Sequence, residues 1–309
     1  MKKFIQHIFL FLLILITIAV ALNIYLTHTT KKNDYYQLQY NEVIHPAVNA
    51  DNIIIGTSHA VHGIQPEILN TSGHRFYNFA FDGANPEFYL KWYKNIFKPH
   101  YKKPTTIVVA VEWFLFNTDW LWRRYEQDAA YFPPAVYNRH LIEGEPYNRS
   151  LLINNRYAIL KYRTSLIKEI STHDTYSYPV SKFKYGFIPY QVKKPVVTEF
   201  YPKNVRIDEH LQNQFEALIE MINKDGVKLI FIQVPSFNTD AGIYKVNPTY
   251  KYFKSLADKY NAPFIDYNTD YRSTINTSKK YFSDGGHMNE AGSIEFSKLL
   301  SAHLKKIIQ

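Results

Sequence analysis

A three-layer α/β/α domain with a mainly parallel five-stranded sheet, preceded by an N-terminal transmembrane helix, is what three observations in this chain predict. Five short apolar runs, at residues 52–56, 75–80, 105–111, 227–234 and 263–267, alternate with helical patterns. Within each run the apolar residues are consecutive, not spaced by two, as in strands buried on both faces of a parallel sheet. Ahead of them, residues 4–26 are almost wholly apolar, interrupted only by Gln6, His7, Thr17 and Asn23. About 20 such residues cross a bilayer core.

The helical patterns fall near residues 86–97, 208–223, 248–260 and 289–307. In the second, Leu211, Phe215, Leu218, Ile219 and Ile222 form one apolar stripe, with Asp208 as candidate N-cap and Gly226 as the stop. Strands joined by helices of this length build layers around a single core. A chain of 309 residues with 46% hydrophobic residues is long enough for that core and a large insertion.

At the N-terminus, Lys2 and Lys3 predict a cytoplasmic end and an exported domain, although Lys31 and Lys32 beyond the apolar stretch reduce the asymmetry. Ala19-Val20-Ala21 resembles a signal-peptidase site. Retention is the preferred reading, because Ile24, Tyr25 and Leu26 continue the apolar stretch past it. Residues 1–34 are thus read as anchor and tether, with 27–34 as the tether. Residues 35–309 are read as the catalytic domain, carrying an aromatic-rich insertion at about 114–206.

No cysteine is present, so disulfides, thiol catalysis and cysteine-ligated metals are excluded. The formal charge of +9 suits anionic lipids or envelope polymers, and a lysine-rich solvated surface explains it equally well. There is no arginine-rich helix or basic-aromatic repeat of the kind nucleic-acid binding uses.

Two motifs carry candidate chemistry. Asn52-Ile53-Ile54-Ile55-Gly56-Thr57-Ser58 reads as a buried strand that breaks at a glycine and exposes a hydroxyl. Far downstream, Ser283-Asp284-Gly285-Gly286-His287 sets a carboxylate and an imidazole three residues apart before a helix. A serine hydroxyl becomes a nucleophile when a base takes its proton and a third group orients that base. Ser58, His287 and Asp284 are the candidates. Each motif alone also reads as a turn or a solvated loop. In an open parallel sheet, however, the end of a first strand and the loop before a last helix meet at the carboxyl edge, where ligands bind.

Gly56-Thr57-Ser58-His59-Ala60 resembles the first block of SGNH (GDSL-like) hydrolases, and Asp284-Gly285-Gly286-His287 matches their closing Asp-x-x-His block. Residues 77–85, Tyr-Asn-Phe-Ala-Phe-Asp-Gly-Ala-Asn, are similar to the second block, whose glycine supplies an oxyanion-hole N–H. By this resemblance that glycine is Gly83 and the fold is SGNH/flavodoxin-like. The likeness is nearest to the membrane-anchored branch with envelope polysaccharide O-acetyltransferases and the D-alanine transfer protein of teichoic acid systems. It implies an extracytoplasmic serine O-acyltransferase or esterase acting on an envelope glycan, with a membrane-bound O-acyltransferase as partner and no cofactor. The alternative is a non-catalytic SGNH-like module that binds glycan or scaffolds an envelope complex.

The third block departs from the pattern. Where the family carries Gly-x-Asn-Asp, the strand here runs into Glu112-Trp113-Phe114. Asn85 could supply a donor instead, but Asn85-Pro86 also reads as an N-cap with proline at the first helical position. A charge on Glu112 would oppose an oxyanion, so Glu112 is expected to face a cationic side chain or the substrate. His59 and His62 either contact substrate or cap the turn. No His-x-x-x-His pairing indicates a metal. The insertion is rich in tyrosine, tryptophan and arginine, among them Trp120, Trp122, Arg123, Arg124, Tyr125, Tyr131, Tyr137, Tyr157, Tyr162, Tyr176, Tyr178, Tyr185 and Tyr190. It is expected beside the site, selecting partner or acceptor, or packing as a mini-core of its own.

Overall fold

Five parallel strands occupy the centre of the molecule. The computed structural model describes residues 1–31, 35–71, 73–117, 160, 176–177, 180–192, 194–202 and 207–308. The strands are β1 (Asn52–Ile55), β2 (Phe76–Asn78), β3 (Thr106–Ala110), β6 (Lys228–Gln233) and β7 (Phe264–Asp266), in the order β2-β1-β3-β6-β7. Each coincides with an apolar run in the sequence, trimmed at its ends. Ile53 and Ile54 of β1 pair with Tyr77 and Asn78 of β2 on one side, and with Ile107 and Val108 of β3 on the other. Two further strands, β4 (Tyr176–Ser177) and β5 (Gln191–Val192), pair antiparallel apart from this sheet.

Helices cover both faces. In the first half they are α1 (Lys2–Lys31), α2 (Tyr35–Ile44), α3 (Ser58–Gly63), α4 (Pro66–Asn70) and α5 (Pro86–Trp92), the last continued by a wider π turn over Tyr93–Phe97. In the second half they are α6 (Glu209–Lys224), α7 (Gly242–Val246), α8 (Pro248–Lys259), α9 (Thr274–Thr277) and α10 (Glu290–Ile308). On α6 the five stripe residues are all buried, and the Asp208 side chain accepts from Leu211 N. Burying side chains of this size contributes roughly 1.5–3 kcal/mol each before entropy is counted. The helix stops where Gly226, at φ +69°, takes a left-handed conformation that a side chain would strain.

Two elements differ from the sequence expectation. The first helix does not end at Leu26 but runs to Lys31, because nothing in residues 27–31 breaks a helix. Its side chains from Phe4 to Tyr25 lie in the open, apart from a half-buried Asn23, while Leu26 is buried. The chain then forms α2, a helix outside the four helical patterns of the sequence. Its Tyr35, Gln39 and Val43 are buried, and Glu42 accepts from the backbone N–H groups of Ala47, Val48 and Asn49. Of the insertion, the residues from Trp120 to Tyr162 named above, and Tyr178, lie outside the described residues. So, apart from Leu160, does the helical composition of residues 151–170.

Candidate active site

The site forms where β1, β2 and β3 end. Beyond Ile55 the chain passes Gly56, where a Cβ would lie 2.7 Å from Ala110 Cβ of the neighbouring strand, so only glycine lets the two strand ends close up. The Tyr89 hydroxyl ties Gly56 to the chain leaving β2: it donates to Gly56 O and accepts from Gly56 N at 3.0 Å and Phe81 N at 3.2 Å. Thr57 is extended, and Ser58 is the first residue of α3. Its backbone N–H therefore has no intrahelical partner, like every N–H in a first helical turn.

Asp284 and His287 arrive on the loop before α10. The Ser58 Oγ lies 2.8 Å from His287 Nε2, and His287 Nδ1 lies 3.0 and 2.9 Å from the two Asp284 oxygens. Asp284 Oδ1 also accepts from the backbone N–H of Gly286 at 2.9 Å and of His287 at 2.7 Å. The three-residue spacing thus lets one carboxylate cap its own turn and hold the imidazole. The two intervening glycines have packing causes. A Cβ on Gly285 would stand 2.2 Å from Thr198 O, and one on Gly286 would stand 2.7 Å from His59 Nε2. Phe237 N, in the loop after β6, donates to Gly285 O at 2.9 Å and fixes the turn from the other side.

These surroundings shift the titrating groups apart. For Asp284, burial opposes ionisation, but the hydrogen bond and charge of His287 and the two backbone N–H groups outweigh it, holding the carboxyl well below its usual range. For His287, burial is the largest influence and lowers the pKa. The bond to Asp284 works the other way, the His59 charge adds to the lowering, and the net direction is down. A neutral imidazole facing a hydroxyl is the state in which it can accept a proton.

Around this core, His59 and His62 each lie against a carboxylate, and Glu112 meets a cationic side chain as expected. His59 is buried, with Nδ1 3.1 Å from Glu112 Oε1, and its ring meets the His287 ring edge-on at 4.8 Å. Burial alone would lower the His59 pKa, but the charge and contact of Glu112, with a smaller contribution from Asp284, reverse the direction and raise it. Glu112, which stands where the family pattern has its asparagine block, therefore faces a cationic side chain. His62 is likewise buried, with Nδ1 2.8 Å from Ile188 O and Nε2 3.1 Å from Asp82 Oδ1.

Gly83 lies in the turn from Phe81 to Ala84 with φ +63°, a conformation that favours glycine. Phe81 N donates to Gly56 O at 3.1 Å, tying that turn to the chain two residues before Ser58. The Asn85 Oδ1 accepts from Phe88 N at 2.8 Å and caps α5, leaving its amide nitrogen as the donor. Sequence reasoning placed Tyr190 only within the insertion and gave it no role of its own at the site. Its ring stacks on His287 at 4.5 Å and 27°, and its carbonyl accepts from the Ser283 hydroxyl at 3.1 Å. The described end of the insertion thus forms one wall of the site. Gly186 permits this, since a Cβ there would lie 1.8 Å from Asn78 O. An aromatic-flanked glycine in Lys184-Tyr185-Gly186-Phe187 was the available signal for such a turn. Among the described residues there is no cluster of three or more histidine, aspartate or glutamate side chains able to hold a metal.

No protein-family model matches this chain, and no curated protein matches it. Solved structures are similar to it at low identity. A candidate platelet activating factor from Streptococcus pneumonia aligns with 14% identity and a TM-score of 0.47, over 93% of this chain and 99% of that one. A candidate acylhydrolase from Bacteroides fragilis aligns with 12% identity and a TM-score of 0.43, over 89% and 96%. A GDSL-like lipase from Bacteroides thetaiotaomicron aligns with 10% identity and a TM-score of 0.39, over 90% and 100%.

Proposed function

We propose that this protein is a membrane-anchored SGNH-type serine esterase or acyltransferase of the cell envelope. The observation that carries the reading is the continuous contact from Ser58 Oγ through His287 to Asp284, assembled from residues 229 positions apart. His287 Nε2 takes the Ser58 proton as Oγ attacks an acyl carbonyl. The tetrahedral oxyanion is held by the N–H groups of Ser58 and Gly83, with Asn85 Nδ2 and His59 Nε2 as further donors. As the ester C–O bond breaks, His287 returns the proton to the departing alkoxide and Ser58 is left acylated. A second hydroxyl then gives its proton to His287 and takes the acyl group. Water as that hydroxyl gives hydrolysis, and an envelope glycan gives transfer. Transfer is the reading we favour, with a membrane-bound O-acyltransferase as partner.

A fluorophosphonate probe tests the nucleophile, because it labels a serine only when a base activates it. Labelling of the wild-type chain that disappears in Ser58→Ala supports an enzyme. An unlabelled wild-type chain, pure and folded, would favour a non-catalytic binding module. The anchor has its own test. An apolar helix long enough to cross a bilayer, none of whose most apolar window is buried, supports an anchor. The full chain is expected to remain with membranes through high-salt and alkaline washing, and a mature N-terminus at Leu22 would instead show a cleaved leader.

A further inference from the structure

The position at which the chain enters the domain says which way the site faces. Since β1 starts at Asn52, α2 returns the chain from the carboxyl edge of the sheet to its amino edge, and the end of α2 joined to the membrane helix lies beside the site. Tyr35 opens α2 with its ring in the core, and its hydroxyl accepts from Asp82 N at 3.3 Å. One turn on, the buried Gln39 donates from Nε2 to Asn78 O at 2.8 Å and Ala80 O at 3.3 Å. All three partners belong to the chain leaving β2, immediately before Gly83. The Asp82 carboxylate, in turn, lies 3.1 Å from His62 Nε2, and the His62 ring is 6.0 Å from that of His287. Two polar contacts and one ring contact therefore separate the first residue of α2 from the candidate base.

On the other side of that residue, α1 ends at Lys31, four positions before Tyr35. Four peptide steps span at most about 14 Å even when fully extended. With the five helical residues past Leu26 adding about 7.5 Å, the link limits the site-bearing edge to within about 22 Å of the end of the apolar stretch. The interfacial layer there is only about 5–8 Å deep on each side of the hydrocarbon. The same link keeps the amino edge of the sheet, where α6 ends at Lys224, on the far side. Lys31 and Lys32 at the exit suit anionic headgroups.

We propose that the Ser58 site opens onto the membrane surface and takes its acyl group from an ester carried by a bilayer lipid in the interfacial layer. This rests on the esterase reading above and adds the substrate class to it. The carbonyl carbon of the lipid ester bonds to Ser58 Oγ, the lipid C–O bond breaks, and the lipid alcohol leaves with the proton that His287 took from Ser58.

The full chain reconstituted in phosphatidylcholine/phosphatidylglycerol vesicles provides the test. Two probes are compared: phosphatidylethanolamine whose headgroup carries 4-methylumbelliferyl acetate, and soluble p-nitrophenyl acetate. A variant with four EAAAK repeats inserted between Lys32 and Tyr35 lifts the domain by about 30 Å. It is expected to lose at least about tenfold in the rate on the lipid ester, a barrier difference of roughly 1.4 kcal/mol, while keeping the rate on the soluble ester. Wild-type rates of the spacer variant on both esters overturn the proposal. Orientation is read without turnover from single cysteines, which label uniquely in a chain that has none. Val196 is exposed and lies two residues from Thr198, whose carbonyl abuts Gly285, whereas Lys224 is exposed at the opposite edge. Energy transfer to headgroup-labelled lipid is expected to be stronger from Val196→Cys than from Lys224→Cys, and equal or reversed transfer overturns the proposed orientation. Absence of turnover of either ester by the wild-type chain overturns the esterase reading and the lipid substrate with it, while the cysteine pair still decides the orientation.

Discussion

Ser58→Ala and His287→Ala are each expected to lower turnover of an acetate ester by roughly a million-fold, the scale reached when a nucleophile or its base is removed from a linked serine triad. The two losses should not add, because each variant alone breaks the same proton path from Ser58 Oγ to His287 Nε2. Asp284→Ala is expected to leave more activity, with a loss of roughly ten-thousand-fold. Without it the imidazole keeps its ring packing against His59, His62 and Tyr190 but loses the acceptor that fixes its tautomer. Stability separates chemistry from folding here. Ser58 is only half-buried and closes no cavity, so Ser58→Ala should melt within a few degrees of the wild-type chain, whereas Asp284→Ala also unties the backbone N–H groups of Gly286 and His287. Steady-state kinetics with thermal melting reads both, and turnover retained in Ser58→Ala would remove Ser58 as nucleophile.

The sheet was legible because its strands are apolar on both faces, which leaves consecutive Ile, Val and Phe that no other local structure explains. α2 was not legible for the opposite reason. Its inward face carries Gln39 and Glu42, which bond to backbone groups, so burial does not appear as hydrophobic periodicity. The same contrast holds at the site. Ser58 and the pair Asp284 and His287 sit in local motifs, each readable within a few residues. Tyr190 meets His287 across 97 positions, and no local signal foretells that stacking. Glu112 is intermediate. A charge that would oppose an oxyanion implied that Glu112 turns toward a cationic side chain or the substrate, yet only the fold reveals that its neighbour is His59, brought there by the turn that presents Ser58.

Glu112→Gln tests what that pair does. Both side chains are nearly sealed from solvent, at 2% exposure for His59 and 4% for Glu112, so the substitution removes a charge while keeping the shape. Burial, the largest influence on His59, then acts without its counterweight and drives the ring neutral. His287 loses the neighbouring positive charge that helps hold its pKa down. In the wild-type chain the acid limb of kcat/KM is therefore expected below the ordinary histidine value of about 6.5, and in Glu112→Gln it should move to higher pH. Stability should change with the opposite pH sense. Because the folded pKa of His59 is raised, its contribution is complete below about pH 6.5 and is lost as pH rises through the folded value. Removing Glu112 is accordingly most costly in mild acid, by up to roughly 3–5 kcal/mol for a broken buried pair, and the deficit should shrink as pH rises. Melting curves between pH 5 and 9, together with pH–rate profiles on a soluble acetate ester, measure the two effects separately. A melting deficit that does not vary with pH, accompanied by an unmoved acid limb, would mean that Glu112 fills space beside His59 without setting the charge that the base experiences.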